Sequence, residues 1–367
     1  MRKLLTVFLT LLFFVSPFCL FGCKPPKPSE GLSYDLSNDE TYYELTGIGE
    51  CLDSDIVVPS TYKGVPVKTI AKNAFSESFL TSVYIYDGIE IIDEKAFANC
   101  VNLRSVTLPK TLKTIEFSAF YDCKNLKDFD FPNSLVNIGD FAFRGCENLK
   151  NVIIPDSVIN IEYAAFAVCK GMKSLKIGNK VEKIGENAFL GCASLEKVII
   201  PDSVVDLRDG VFAECKNLKS VKIGDGIKSI PEKAFYYCTS LLQIDWGKNV
   251  TGINSFAFLG CDSLTSLIFS DALTAIGTRA FFGCSGLKEI YFFDNFQVIF
   301  DEAFSSCANL ERVRLGNGIK SIKSWAFRYC TKLDTIEYNG TKEMWGKISG
   351  ICNLDNTVKI ICADGEI

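Results

Sequence analysis

Histidine is absent from all 367 residues. Imidazole is the commonest general base and a common metal ligand, so its absence weighs against ordinary hydrolase chemistry and histidine-based metal centres. The sequence shows no Gly-rich phosphate loop, no Gly-x-Ser-x-Gly elbow and no ligand cluster with metal spacing. Net positive charge is missing too. The 39 basic and 44 acidic residues leave −5, and loss of Arg2 and Lys3 with a 22-residue leader takes this to −7. That balance argues against a nucleic-acid partner. Beyond the leader, no stretch is long and apolar enough to span a bilayer.

The carboxylates are scattered. Asp93-Glu94, Glu186, Glu232 and Asp301-Glu302 recur at one position of a repeating unit, which reads as solvated turn residues. No motif places a general acid, base or nucleophile, so the chain is expected not to be an enzyme and to carry no cofactor or metal.

Cysteine is abundant, at 16 residues, and most of it is periodic. Cys100, Cys123, Cys146, Cys169, Cys192, Cys215, Cys238, Cys261, Cys284, Cys307 and Cys330 step by 23 residues without insertion or deletion. A fixed period of that size marks stacked supersecondary units, each burying its core against its neighbours. Hydrophobic residues at 48% suffice to fill such a core.

Two successive units define the pattern. One runs Leu103, Val106, Leu108-Pro109, Leu112, Ile115, Ala119-Phe120, Cys123; the next runs Leu126, Phe129, Phe131-Pro132, Leu135, Ile138, Ala142-Phe143, Cys146. Val106 and Leu108 alternate with Ser105 and Thr107, the period of a strand with one buried face. Pro109, Pro132, Pro155 and Pro201, or Gly178, Gly224, Gly247 and Gly316, stop that strand. Leu112 to Ile115 reads as a second short extended piece. Glu116 to Cys123 reads as a helical turn whose Ala-Phe pair points inward. The predicted fold is a β-rich repeat solenoid with short helical turns, a leucine-rich repeat array of 23-residue coils with parallel sheet.

Residues 1–22 carry a basic start and an apolar run, as an export signal does. Leu20-Phe21-Gly22-Cys23 resembles a bacterial lipobox, which makes Cys23 the expected lipid-attachment residue. An ordinary secretory signal and an uncleaved anchor remain the other readings. Residues 23–31 hold the Pro-rich tether Lys24-Pro25-Pro26-Lys27-Pro28. Residues 32–70 form an N-terminal cap, 71–338 the array and 339–367 a C-terminal cap, with a last strand expected around Val358 to Cys362. The chain is expected to be exported and lipid-anchored to a bacterial membrane, at the cell surface.

The unit Leu-x-x-Val-x-Leu-Pro-x-x-Leu-x-x-Ile-x-x-x-Ala-Phe-x-x-Cys resembles the BspA-like, treponemal-type bacterial leucine-rich repeat. The segments at Tyr42-Tyr43, Ile56 to Tyr62, and Tyr338 to Trp345 are similar to that family's ends, so the resemblance covers residues 32 to 367. It implies a surface-exposed or secreted bacterial protein; some members are adhesins for host matrix proteins or other cells. Fold carries over from such a resemblance, whereas partner does not.

Stacked coils bring the periodic cysteines near one another, but parallel side chains in register have poor geometry for bridging. Buried structural thiols are the expectation. Cys352 and Cys362, outside the series, are the candidate disulfide, and Cys51 has no evident partner.

The outward position between the two buried strand residues reads Tyr84, Thr107, Asp130, Ile153, Lys176, Ile199, Lys222, Asp245, Ile268, Tyr291, Arg314, Glu337. In-register stacking would align these as a stripe, edged by Lys127, Lys150, Lys173, Lys219 and Lys288. The candidate binding surface is Tyr84, Ile153, Lys176, Ile199, Lys222, Ile268, Tyr291, Phe293 and Arg314. Phe293 holds the Pro/Gly site and Phe300 a usually small or polar one, so the core pattern requires neither. An exposed apolar patch here would mark an interaction site, and local packing is the competing reading.

These features point to a macromolecule-binding scaffold, with a host matrix or envelope protein as partner. A structural or assembly component of the envelope is the alternative. Polysaccharide binding through Tyr84, Tyr291 and Trp325 is a third.

Overall fold

The computed structural model describes residues 25–350, 354 and 357–367. Cys23 and Cys352 lie outside these residues, and with them the lipid-attachment site and one half of the candidate disulfide. The described chain is a solenoid with two parallel β-ladders. Each coil contributes a wider strand such as Ser105–Thr107 and a narrower one such as Thr114–Ile115. Neighbouring coils pair in strict register: Ser82, Val83 and Tyr84 lie beside Ser105, Val106 and Thr107. Likewise Thr114 and Ile115 lie beside Asn137 and Ile138.

The core is the repeated residue set. Phe75 to Phe327 form a column of rings whose centroids are 5.0–5.8 Å apart with near-parallel planes. The spacing is imposed by the strand separation of about 4.8 Å, which leaves room for one ring thickness and a lateral offset. The eleven periodic cysteines are buried free thiols.

The segment expected as a helical turn is built differently. From Glu116 to Cys123 the N–H groups alternate in direction. Ala119, Tyr121 and Cys123 close tight turns within the coil, onto the carbonyls of Glu116, Ser118 and Phe120. Ser118, Phe120 and Asp122 instead donate to Asp140, Ala142 and Arg144 of the next coil at 2.7–2.8 Å. A helix points every N–H along its own axis and leaves none for a neighbour. The alternation places Ser118 and Asp122 at φ of 53° each, in the left-handed region. The result is a ribbon of linked turns along a third edge of the solenoid.

Both ladders are interrupted, at different coils. The narrow ladder runs from Ser33–Leu36 to Asp206–Leu207 and resumes at Ser229–Ile230. Pro231 explains the gap. In other coils the equivalent residue donates its N–H backward, as Arg208 does to Ile184 and Asn254 to Ile230, and proline has none to give. The wide ladder is unbroken there, through Lys197–Ile199, Ser220–Lys222 and Gln243–Asp245. Its own gaps fall at Asp130, between Lys176 and Lys197, and between Asp245 and Ser266.

The ends are closed by irregular pieces. At the start, Ser33–Leu36 pairs antiparallel with Tyr43–Gly47, and the hairpin Thr61–Tyr62 and Val65–Ile70 accommodates the extra residues after Pro59. Gly64, at φ 83°, makes the turn. At the end, Thr341 caps the short helix Lys342–Trp345, and buried Trp345 packs on Tyr338 over the open end of the core. Lys359–Cys362 then adds the last parallel strand beside Thr335–Tyr338, and Cys362 is buried there.

Candidate binding face

The wide ladder sets the outward residues side by side. Ile153 lies beside Lys176; Ile199, Lys222 and Asp245 follow one another in register, as do Ile268, Tyr291, Arg314 and Glu337. Tyr84 lies beside Thr107 at the first end. The stripe read from sequence is therefore present, in stretches separated by the ladder's gaps. Ile153, Ile199 and Ile268 are 57%, 49% and 66% exposed, unusual values for isoleucine on a rigid strand.

The aromatic coil divides its rings between core and surface. Phe292 and Phe296 are buried and stack on each other at 4.2 Å; Phe296 takes a place that Leu273 and Val250 hold in the preceding coils, and Phe292 continues an aromatic run from Trp246 and Phe269. Tyr291 and Phe293 stay outside and meet edge to face at 4.8 Å. Phe300 is exposed as well, but it follows the narrow strand Val298–Ile299 and lies on a different edge of the coil. Trp325 also sits on the turn ribbon, where Arg328 covers its ring. Tyr84, Tyr291 and Trp325 therefore do not share one surface.

Charge along the stripe is partly neutralised. Arg314 and Arg312 both pair with Glu337, at 2.8 and 3.4 Å. Lys219 pairs with Glu196 at 3.0 Å and Lys170 with Glu147 at 2.8 Å. The thiols offer no chemistry to this face. Burial pushes the ladder thiols from Cys100 to Cys307 above the ordinary thiol range, Cys284 to about 12. Each thiol instead donates to a phenylalanine carbonyl one coil back. Among the described residues no group of three or more Cys, Asp or Glu side chains is placed to hold a metal ion.

The two most exposed apolar side chains among the described residues escaped the sequence reading. Leu52 is 99% and Phe79 81% exposed, and they occupy equivalent positions of the first two coils, since Asp55 pairs with Ser82. Phe79 stands where later coils carry Asn102, Asn125, Asn148, Ser194 and Asn217. That substitution was the available signal. The 27-residue offset between Leu52 and Phe79 concealed it, because the hairpin lengthens this coil alone.

The repeat also decides the family. The description of the BspA type leucine rich repeat region matches residues 68–192, 160–278 and 251–355. The chain belongs to this family. Among solved structures, this BspA-type chain is similar to a leucine-rich repeat protein from Bacteroides ovatus ATCC 8483, with 24% identity and a TM-score of 0.66 over 91% of this chain and 99% of the other. It is also similar to a leucine rich cell surface protein from Faecalibacterium prausnitzii A2-165, with 27% identity and a TM-score of 0.54 over the same shares. No curated protein matches the chain.

Proposed function

We infer that this BspA-type protein is exported, held to a bacterial membrane through Cys23, and binds a protein partner on its wide strand face. The partner is a host matrix protein or a protein of a neighbouring cell or envelope. One observation carries the reading: exposed Ile153, Ile199 and Ile268, with the Tyr291–Phe293 pair, lie on one rigid face that the core does not require. Rigid apolar and aromatic anchors with charge around them are what protein interfaces use. Support for the location comes from the leader ending in Gly22-Cys23 and from a similar structure that is described as a cell surface protein. Among the described residues no helix is long and apolar enough to cross a membrane. The anchor proposed is the lipid on Cys23.

The experiment has two arms. Intact cells are treated with a membrane-impermeant lysine reagent; labelling of array lysines supports surface exposure, and a wholly protected array defeats it. Immobilised protein is then offered matrix and envelope proteins, with Tyr291→Ala/Phe293→Ala as the control variant. Loss of capture by the variant at unchanged melting temperature supports the face. Equal capture by both proteins removes Tyr291 and Phe293 from it. Cys23→Ser is expected to abolish lipid labelling, and persistent labelling would overturn the anchor.

A further inference from the structure

Carboxylates and cations serve different ends in this array. In the turn that follows the wide strand, Asp87, Asp156, Asp202, Asp225 and Asp294 each accept a backbone N–H from the next coil at 2.6–3.0 Å. At the start of the turn ribbon, Asp140, Asp209 and Asp301 do the same at 2.9–3.2 Å. Much of the negative charge is thus tied to the edges, as part of the stacking.

The wide face between Arg104 and Lys222 carries the opposite sign. Arg104, Lys127, Lys150 and Lys173 occupy one coil position in four successive coils, about 4.8 Å apart. Lys176 and Lys222 follow in the exposed stripe. None of these six forms an ion pair with a carboxylate among the described residues. Of the carboxylates on this face, Asp128 and Glu196 are engaged elsewhere, while exposed Asp130 and, beside Lys222, Asp245 remain in the stripe. Asp128 accepts the N–H groups of Lys150 and Asn151 and the Asn151 amide, and Glu196 pairs with Lys219.

Like charges on adjacent strands destabilise a sheet. Stacking does not require them, because the same position holds Leu242, Thr265 and Glu311 in later coils. Arg104, Lys127 and Lys150 also line a shallow cleft with Asn125, Asn148 and Asp128, three cations to one carboxylate. Between the cations stand Ile153 and Ile199, both about half exposed.

We propose that this face is the docking surface for an extended acidic polypeptide segment. Its carboxylates meet Lys127, Lys150, Lys173, Lys176 and Lys222, and its apolar side chains cover Ile153 and Ile199. A polyanion without apolar groups would satisfy the lysines and leave both isoleucines in water. The whole chain carries −5, so attraction must act at short range, within the Debye length of about 8 Å at physiological salt. The inference rests on the protein-binding reading above and names the chemistry of the partner.

The test titrates the full-length protein in mild detergent with three probes: a random glutamate–tyrosine copolymer, polyglutamate of equal charge, and heparin. The copolymer is expected to bind about ten-fold more tightly than polyglutamate, a difference of about 1.4 kcal/mol. Lys150→Glu/Lys173→Glu/Lys176→Glu is expected to lose binding by about a hundred-fold. Ile153→Ser/Ile199→Ser should bring the copolymer down to the polyglutamate level, with an unchanged melting temperature in both variants. Heparin binding tighter than the copolymer and indifferent to the isoleucines would assign the face to an acidic glycan and overturn the proposal. Absence of binding by every probe would overturn it as well. A protein partner captured equally by the charge-reversed variant would remove this inference and leave the scaffold reading standing.

Discussion

The Cys192 thiol donates to the carbonyl oxygen of Phe166, one coil back, at 3.3 Å, and the same oxygen accepts the Cys169 N–H at 3.3 Å. The carbonyl's two lone pairs are thereby divided between a turn bond within the coil and a thiol from the next. The relationship repeats from Cys100 to Cys330. Cysteine fits because its sulfur is small, apolar and still a weak donor.

This arrangement predicts chemically silent thiols. At pH 8 an aromatic disulfide reagent should modify the ladder cysteines no faster than the protein unfolds. Rapid labelling of several ladder positions in folded protein would contradict the buried ladder. Cys192→Ala should cost about 1–2 kcal/mol by denaturant titration, from a small cavity and a lost bond.

The same thiols set an alkaline limit. Burial raises Cys215, Cys238 and Cys261 well above the ordinary value and Cys284 to about 12, so the folded chain keeps these protons. The unfolded chain releases them near pH 8.5–9. Above that pH the unfolded state binds fewer protons, and stability falls as pH rises toward the folded values. Melting temperature should drop steadily between about pH 9 and 11, and less steeply in a variant with three ladder cysteines changed to alanine.

At the acid end the sign reverses. Backbone and side-chain bonds from Lys248 hold Asp225 below the usual carboxylate range, and the bond from Lys113 does the same for Glu90. A depressed folded value contributes stability above the unfolded pKa and loses it as pH falls through the folded one. Melting temperature should be flat near neutrality and fall below about pH 4. Asp225→Asn should shallow that fall, and an unchanged acid limb would show that this contact carries no linkage.

The staggered ladder gaps predict cooperative unfolding. Where Pro231 interrupts the narrow ladder, the wide ladder is continuous, so the plane between those coils remains bridged. Lys219→Pro removes the Lys219 N–H bond to the Glu196 carbonyl and places a second interruption at that plane. The variant should lose about 3 kcal/mol and unfold in two resolved steps, whereas the parent unfolds in one. A single transition in the variant would show that packing of the phenylalanine column couples the halves without the ladders.

The aromatic coil separates binding from stability. Phe292→Ala or Phe296→Ala should cost about 3–5 kcal/mol, since both rings are buried. Phe293→Ala, on the surface, should change stability by no more than about 0.5 kcal/mol. A large loss from Phe293→Ala would identify it as a packing residue.

Spacing made much of this fold legible. Cysteine, phenylalanine and alanine at fixed offsets required identical environments in every coil, and only a stacked array provides them. The family ends and the outward stripe were legible for the same reason. The turn ribbon was not, because eight residues with an Ala-Phe pair fit a helical turn equally well in isolation. Its alternating N–H directions exist only when another coil lies alongside to accept them. Asp301, read as a solvated turn residue, was likewise misjudged: like Asp140 and Asp209 at the same coil position, it carries a stacking bond whose donor lies 23 residues ahead.

By itself, the sequence determined the period, the buried residues and the sites of strand termination, because these follow from local pattern and side-chain volume. The tertiary structure decided which outward residues become neighbours, where the ladders break, and which charges are tied up or left free. Those outcomes depend on contacts between successive coils. Lys150 and Lys173 are similar residues in similar places, and only the stacking shows that they stand together with neither ammonium in an ion pair.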